Sequence, residues 1–435
     1  MTSNIRQKSA LAGGIKFPII TTVATYPLHS PDNFSTSDGD IVQSIVDNGE
    51  ANRITFSLVT NENITWWKGI SVICGATALI ACSIAAPANA ASLYKLTDLG
   101  ALSANPRYSS FAYSINDHGQ VVGEAGSPDG NRAFFWSQET GMQNLGTLPG
   151  GSDSGARRIN NLGQVIGRSQ TLLPAGGTTS ASFLWSSGQG MQILPVDAAW
   201  DINNNGQIAG QTNNTASVWT NGNQQDLGKL PTADYSYSVA VNNNGQVVGN
   251  SGVTNEFSRA FFWSNGVMQN LGTLPGDQSS FASDLNKQGQ VVGNSSTLSS
   301  SRAFVWSQDR GIQDLGVLPG TFMSMAYGIN DKGQVAGYST ATSGSSRAFV
   351  WSSDEGLLDL NSLISPDLGW SLSSAQDINN QGQIVGWGTS PDGQQRAFLL
   401  TPDLAREVPE PTTMAGLALV GGAMLTWRRR TQKLN

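Results

Sequence analysis

Histidine and cysteine are almost missing from the chain: among 435 residues there are only His29 and His118, Cys74 and Cys82. A Ser-His-Asp triad or a histidine-based zinc site would have to rest on His118, a variable position inside a turn motif, so neither chemistry is expected. Both cysteines lie in one apolar segment ahead of the main body, and removal of that segment would leave no disulfide and no thiol nucleophile. Charge is sparse as well, at 13% of residues with a formal net charge of −7, and the basic residues of the main body are isolated. No stripe of Lys and Arg exists to hold phosphates, so nucleic acid is not an expected partner. The chain has no G-x-x-x-x-G-K-[ST] loop and no D-x-[DN]-x-[DN]-G loop, and its two S-P-D-G stretches, residues 127–130 and 390–393, read as β-turns rather than Asp boxes. No cofactor or metal is implied. Helix-forming runs of Ala, Glu, Lys and Leu are absent outside two hydrophobic segments, which points to an all-β class.

What the chain does contain is a repeated frame, N-x-x-G-Q-[VI]-x-G, beginning at Asn116, Asn160, Asn203, Asn242, Asn286, Asn330 and Asn379. Asparagine early in a turn can bond its own backbone two residues on. The glycine in fourth place (Gly119, Gly163, Gly206, Gly245, Gly289, Gly333 and Gly382) supplies the positive φ that a type I turn with a following bulge requires. The frame therefore predicts a tight hairpin, repeated because every unit must turn there, rather than seven binding loops. Its closing glycine, as in Gly123, Gly337 and Gly386, predicts a close backbone approach or a bulge.

Each unit continues through a Ser/Thr/Gly-rich connection to an apolar strand such as residues 347–351, then a short turn, a strand such as residues 313–316, and a Leu-Pro-Gly turn. Four short strands per unit, with 39 to 49 residues between successive Gly-Gln pairs, match the period of propeller blades. The strand Ala348, Phe349, Val350, Trp351 is apolar on both faces, as a sheet packed between two others requires, so Phe134 and Trp136, Phe183 and Trp185, Val218 and Trp219, Phe261 and Trp263, and Phe304 and Trp306 are assigned to the core. Residues 96–102 precede the first hairpin and repeat the pattern of the fourth strand, while the seventh unit lacks one after residues 396–400. The beginning of the repeat region should complete the last blade and remove the free edge. The expectation is a seven-bladed β-propeller of four-stranded blades. Within it, Arg132, Arg259, Arg302, Arg347 and Arg396 are expected to pair with Asp98, Asp226, Asp314 and Asp359 of neighbouring strands, a ligand-facing ring of arginines being the alternative, and the remaining acids to be solvated loop residues.

The flanks divide the chain further. Residues 1–64 share nothing with the repeats and read as a disordered leader or as an upstream start assigned to the gene; no internal Met precedes the next segment. Residues 65–90 carry one Lys, an apolar core and an A-x-A end at Ala88 and Ala90, which fit a secretory signal cleaved after Ala90. A permanent membrane helix and lipidation of Cys82 in a lipobox-like run are the competing readings. Residues 91–404 are the repeats. Residues 405–435 hold Pro409, Glu410 and Pro411, about 16 small apolar residues, and Arg428, Arg429 and Arg430, a segment able to enter a bilayer with its basic end in the cytoplasm.

This tail resembles a PEP-CTERM sorting signal. The resemblance implies an exosortase-like processing enzyme as partner, a transient membrane anchor, and delivery to the bacterial envelope or extracellular matrix. The repeats, through I-N-x-x-G-Q-V-x-G, A-F-x-W and D-L-G-x-L-P-G, resemble the HAF family of bacterial extracellular repeats, although Arg132, Arg259, Arg302, Arg347 and Arg396 stand where that family has histidine. On these grounds the expected function is an exported, non-catalytic scaffold that binds exopolysaccharide or other surface components. A secreted lyase or hydrolase with carboxylates at the channel is the alternative, to be distinguished by unit-specific Asp, Glu, Arg or Tyr converging at one channel mouth. A propeller mediating protein contacts in the periplasm is a third reading.

Overall fold

The computed structural model describes residues 7–12 and 15–20, and residues 93–403 except 174, 175 and 255. The chain divides into two units, Met1–Ile84 and Ala85–Asn435. In the first, Gln7–Ala12 pairs antiparallel with Ile15–Ile20, a hairpin within the stretch read as leader. The signal segment with Ala88 and Ala90, both cysteines, and the tail with Pro409, Glu410, Pro411 and Arg428 to Arg430 lie outside the described residues.

The second unit is a seven-bladed β-propeller, each blade a four-stranded antiparallel sheet. In blades 1 to 6 the strands follow chain order from the axis outward, as in blade 1: Ser110–Ile115, Val121–Ser127, Gly130–Ser137, Gly141–Asn144. Blade 7 takes three strands from the end of the repeats, Ser371–Ile378, Ile384–Thr389 and Gln395–Pro402, and its outermost from the beginning, Tyr94–Asp98. Leu96 pairs with Leu400 and Asp98 with Phe398, so the ring closes as the repeat count requires, with the strand starting two residues earlier than its sequence pattern. The longest spacing, between Asn330 and Asn379, accommodates two 3-10 turns, Leu360–Ser362 and Pro366–Leu368. Among the described residues there is no α-helix, and no helix long and apolar enough to cross a membrane.

The apolar core is divided into seven clusters, one at each junction between neighbouring blades. At the closing junction Val385, Ala397 and Leu399 of blade 7 pack on Ala112, Ile115 and Phe134 of blade 1. Phe134, Phe183, Phe261, Phe304, Phe349 and Phe398 are fully buried, each stabilising a junction by about 2–3 kcal/mol. Of the paired tryptophans only Trp136 and Trp306 are buried; Trp185, Trp219, Trp263 and Trp351 keep an exposed edge, a partial correction to their core assignment.

Candidate functional site: an axial funnel and two rings

The site begins with a glycine and a bulge. In every blade the glycine that closes the repeated frame pairs with the residue four before the asparagine, and the innermost strand skips one position there: Ala112 and Ser114, not Tyr113, have partners in blade 1. A Cβ on Gly337 would collide with the Met325 carbonyl oxygen and lie 2.5 Å from Phe349 Cζ. Both features expected of this glycine, a close approach and a bulge, are present together. Bulges re-aim side chains, and here the extra residue faces the axis. The seven bulged residues are Tyr113, Arg157, Trp200, Val239, Ser283, Tyr327 and Gln376, and all seven line one funnel of about 510 Å³.

No two neighbouring units contribute the same chemistry to this funnel. Glu124 and Arg168, from the second strands of blades 1 and 2, join its wall beside Arg158. Tyr113 Oη donates to Glu124 Oε1 at 2.9 Å, and burial first, then the Glu124 charge, pushes the Tyr113 hydroxyl pKa up. The Arg157 guanidinium lies over the Trp200 ring, 4.2 Å from its centroid, and burial together with the charges of Arg168 and Arg158 lowers its pKa. Arg168 Nε and Trp200 Nε1 are buried without a hydrogen-bond partner. Aromatic pairs brace the rim: Trp200 with Tyr237, Tyr327 with Tyr338, and Trp387 with both Phe111 and Tyr113. The funnel wall thus holds three guanidinium groups and one carboxylate in a chain of net negative charge.

Beneath it lies a charged layer from the next residue along, two before the asparagine. Blades 3, 5 and 7 carry Asp201, Asp284 and Asp377; blades 4, 6 and 1 carry the small residues Ala240, Gly328 and Ser114. Each aspartate reaches into the following blade. Asp201 Oδ2 accepts from Val241 N at 2.8 Å, Asp284 Oδ2 from Ile329 N at 3.0 Å, and Asp377 Oδ2 from Ile115 N at 3.1 Å and Ser114 Oγ at 2.8 Å. Large and small cannot alternate around an odd ring, and the leftover place in blade 2 is taken by Arg158, whose Nε is 3.8 Å from Asp201 Oδ1. Burial opposes the Arg158 charge, but Asp377, Asp284 and Asp201 outweigh it and raise its pKa. Burial raises the Asp201 pKa against the opposing pull of Arg158. Asp284 is pushed up to about 8, by burial foremost, with Arg158 opposing and Asp377 and Asp201 adding to the rise. These three acids correct the expectation of solvated loop residues: they stand on innermost strands and join blades. Among the described residues no group of three or more His, Cys, Asp or Glu is placed to hold a metal ion.

The predicted turns surround the opposite mouth. In all seven, the glycine N–H donates to the asparagine carbonyl and the asparagine N–H to the Gln carbonyl, giving the expected turn and bulge. Each asparagine is buried and does more than shape its own hairpin. Its Oδ1 accepts from the backbone two and four residues on, and its Nδ2 donates both to the Gln side chain and to the asparagine carbonyl of the next blade. The inter-blade bonds run from Asn116 to Asn160, Asn203, Asn242, Asn286, Asn330, Asn379 and back to Asn116, at 2.9 to 3.1 Å. A second ring passes through the following residues, where side chains of Asn161, Asn204, Asn243, Asp331, Asn380 and Asp117 each accept from the preceding blade's backbone. It breaks between Asn243 and Lys287, because a lysine side chain has no acceptor. His118 is exposed in the blade 1 turn, at this mouth rather than in the funnel.

The expected arginine-aspartate pairing holds in two units, Arg302 with Asp314 at 2.7 Å and Arg347 with Asp359 at 2.8 Å. Arg132, Arg259 and Arg396 instead donate to the carbonyls of Ser152, Gln278 and Tyr108 in the connections to the next blade. Asp98 and Asp226 mainly cap turns, accepting from Gly100 N and Gly228 N at 2.8 Å.

No protein-family model matches the chain, and no curated protein matches it in sequence. Among solved structures it is similar to the β-propeller domain of the Trilobed protease from Pyrococcus furiosus, 10% identical over 70% of this chain and 100% of that one, with a TM-score of 0.45. It is also similar to the gluconolactonase XC5397 from Xanthomonas campestris (12% identical, 72% and 92% covered, TM-score 0.38) and to TolB from Acinetobacter baumannii (13% identical, 65% and 80% covered, TM-score 0.35). Fold and site together define a closed seven-bladed propeller whose differences from blade to blade are gathered around one axial opening.

Proposed function

We propose that the protein is an exported binding scaffold of the bacterial envelope or extracellular matrix, holding a saccharide in the axial funnel. In this reading the segment ending at Ala90 directs export, and the tail with Pro409, Glu410, Pro411 and Arg428 to Arg430 is handled by an exosortase-like enzyme. One observation carries the ligand-binding part: turns, core and ring bonds repeat from blade to blade, whereas the bulged residues differ and converge on one mouth. A purely structural ring would have no use for Tyr, Arg, Trp, Val, Ser, Tyr and Gln at equivalent places. A cavity of about 510 Å³ with aromatic walls and a few polar groups has the size and character of a small-ligand site.

A second reading, a carbohydrate-active enzyme, is favoured by the bond between Tyr113 and Glu124, which sets a base against a hydroxyl inside the funnel. The paired carboxylates of an ordinary glycosidase are a poorer match, since Glu124 is the single carboxylate of the described wall and the aspartates beneath are bonded to backbone. The purified full-length protein, incubated with a panel of bacterial and plant polysaccharides, separates the readings. Retention of a polysaccharide without new reducing or unsaturated ends supports the scaffold, their appearance supports the enzyme, and failure of both tests counts against a saccharide in the funnel.

A further inference from the structure

We infer that the funnel is built for an acidic sugar, with the carboxylate of a uronate-type residue held between Arg157 and Arg168 and its ring lying among Trp200, Tyr113 and Tyr327. The inference rests on the binding reading above and adds the chemical class of the ligand.

Of the three arginines in the funnel wall, one is already satisfied. Arg158 has the aspartate layer beneath it and donates to the Tyr113 carbonyl at 3.2 Å. The side chains of Arg157 and Arg168 make no ion pair and no hydrogen bond with the described residues, and the carboxylate across the wall, Glu124, whose charge only partly offsets the burial of Arg157, already accepts the Tyr113 hydroxyl. Two partly buried guanidinium groups on neighbouring strands of blade 2 repel each other, and this repulsion adds to the burial that lowers the Arg157 pKa. Such groups are retained at a net cost unless an anion joins them. Arginine's planar fork pairs with a carboxylate through two parallel N–H bonds, and the Arg157 guanidinium, held over the Trp200 ring, makes no hydrogen bond to the described residues. The unpartnered Arg168 Nε–H is a second donor of the same kind.

The rest of the wall suits a sugar ring. Trp200 is partly buried, lines the funnel and has an Nε1–H without a partner, so beside the Arg157 guanidinium it can donate to a hydroxyl or ring oxygen. Ser283 and Gln376 across the funnel supply hydroxyl and amide groups able to bond sugar hydroxyls in either direction. A small inorganic anion would use the arginines and leave the aromatic wall idle. A neutral sugar would use the wall and leave the arginines repelling each other.

Titration of the full-length protein with an oligoglucuronide, its methyl ester, a neutral oligoglucoside of the same linkage and a sulfated oligoglucoside tests both parts, read by calorimetry and tryptophan fluorescence. The oligoglucuronide should bind at least about 10-fold more tightly than its methyl ester, the ratio expected when charge-assisted hydrogen bonds are lost. Arg157→Gln and Arg168→Gln should each remove about 10-fold of that preference, Arg168→Lys less, and added salt should weaken the acid alone. The sulfated arm separates a planar carboxylate from any oxyanion: equal binding of the sulfated sugar overturns the carboxylate assignment. Equal binding of acid and ester overturns the acidic-sugar inference while sparing the funnel as a saccharide site. No binding by any of the four, with all variants folded, overturns both. The ester arm leaves the protein unaltered, so the inference stays decidable even where an arginine variant fails to fold.

Discussion

Asn379 Nδ2 donates to the Asn116 carbonyl at 3.0 Å across 263 positions of sequence, completing a circle of seven identical side-chain bonds around the axis. This bond and the pairing of Tyr94–Asp98 with Gln395–Pro402 close the same junction between blades 7 and 1, one near the axis and one at the outer edge. A propeller without either would present blade 1 and blade 7 as open faces.

Asn379→Ala removes two donor and two acceptor bonds of a buried side chain and leaves the Asn116 carbonyl with only the Gly119 N–H of its own turn. Loss of about 2–4 kcal/mol is expected, since each buried group left unmet costs about 1–3 kcal/mol. Asn379→Asp should do no better, because it keeps the two acceptors but sets an oxygen against the Asn116 carbonyl. Urea unfolding of the three proteins measures this; a loss under about 0.5 kcal/mol for the alanine variant is within the range of an ordinary surface change and would remove the ring from the account of stability.

The two glycines of one frame should fail for different reasons. Gly333 has φ +76 and open surroundings apart from Gln290 Oε1 at 3.4 Å, so Gly333→Ala is a conformational change costing about 1 kcal/mol. Gly337 has no positive φ, yet its added methyl group meets the Met325 carbonyl and the Phe349 ring, both held by the blade. Gly337→Ala should cost more than about 2 kcal/mol, as overpacking of a filled core does, and should weaken funnel binding by straightening the bulge. Thermal unfolding of both variants, with the ligand titration repeated on Gly337→Ala, separates the two causes; equal losses would mean that the close approach relaxes freely.

Turn, blade count and closure were legible in the sequence because each rests on local chemistry stated seven times. The asparagine was only half legible. Its bonds to its own turn follow from the spacing, but nothing inside one hairpin tells that Nδ2 reaches a carbonyl 44 residues away. The serine six residues before it, as in Ser110, Ser154 and Ser236, was missed altogether, although each buried hydroxyl joins the third strand of one blade to the start of the next. The positions that line the funnel are hidden for another reason. Strict alternation would put Tyr113 and Ser114 on opposite faces, and only the bulge lets successive residues serve the axis. The signal available was variability: three positions before the asparagine, seven aligned frames show six residue types.

Stability should fall as pH rises through neutrality, and Asp284 should be a main cause. Its pKa is about 8 in the folded chain against an ordinary value of 3.8, so between those limits the folded state holds a proton that the unfolded state has lost. The contribution is complete below about pH 4 and disappears as pH rises through 8. Arg158, Asp201 and Asp377 face this group, and Asp201, also raised, acts in the same direction. Melting temperatures from pH 5 to 9 at fixed ionic strength should decline by a few degrees for the native chain, and Asp284→Asn should flatten the decline. A native melting temperature that climbs over this window would mean that Asp284 is ionised at neutral pH.

The broken place in the second ring offers a test by gain rather than loss. Lys287 donates its own N–H to Asp331 Oδ1 at 3.0 Å, as its equivalents do to their neighbours, but returns nothing to Asn243. Its ammonium lies 3.5 Å from Asp331 Oδ2 with the lysine side chain 63% exposed, an arrangement usually contributing about 0–1 kcal/mol and weakened by salt. Lys287→Asn places an acceptor where the other blades have one, so the Asn243 N–H gains a bond of about 0.5–1.5 kcal/mol. The balance should favour the variant, and more clearly at high ionic strength, where the lost ion pair was already screened. A melting temperature below that of the native chain at high salt would show that the second ring follows from blade packing and adds nothing of its own.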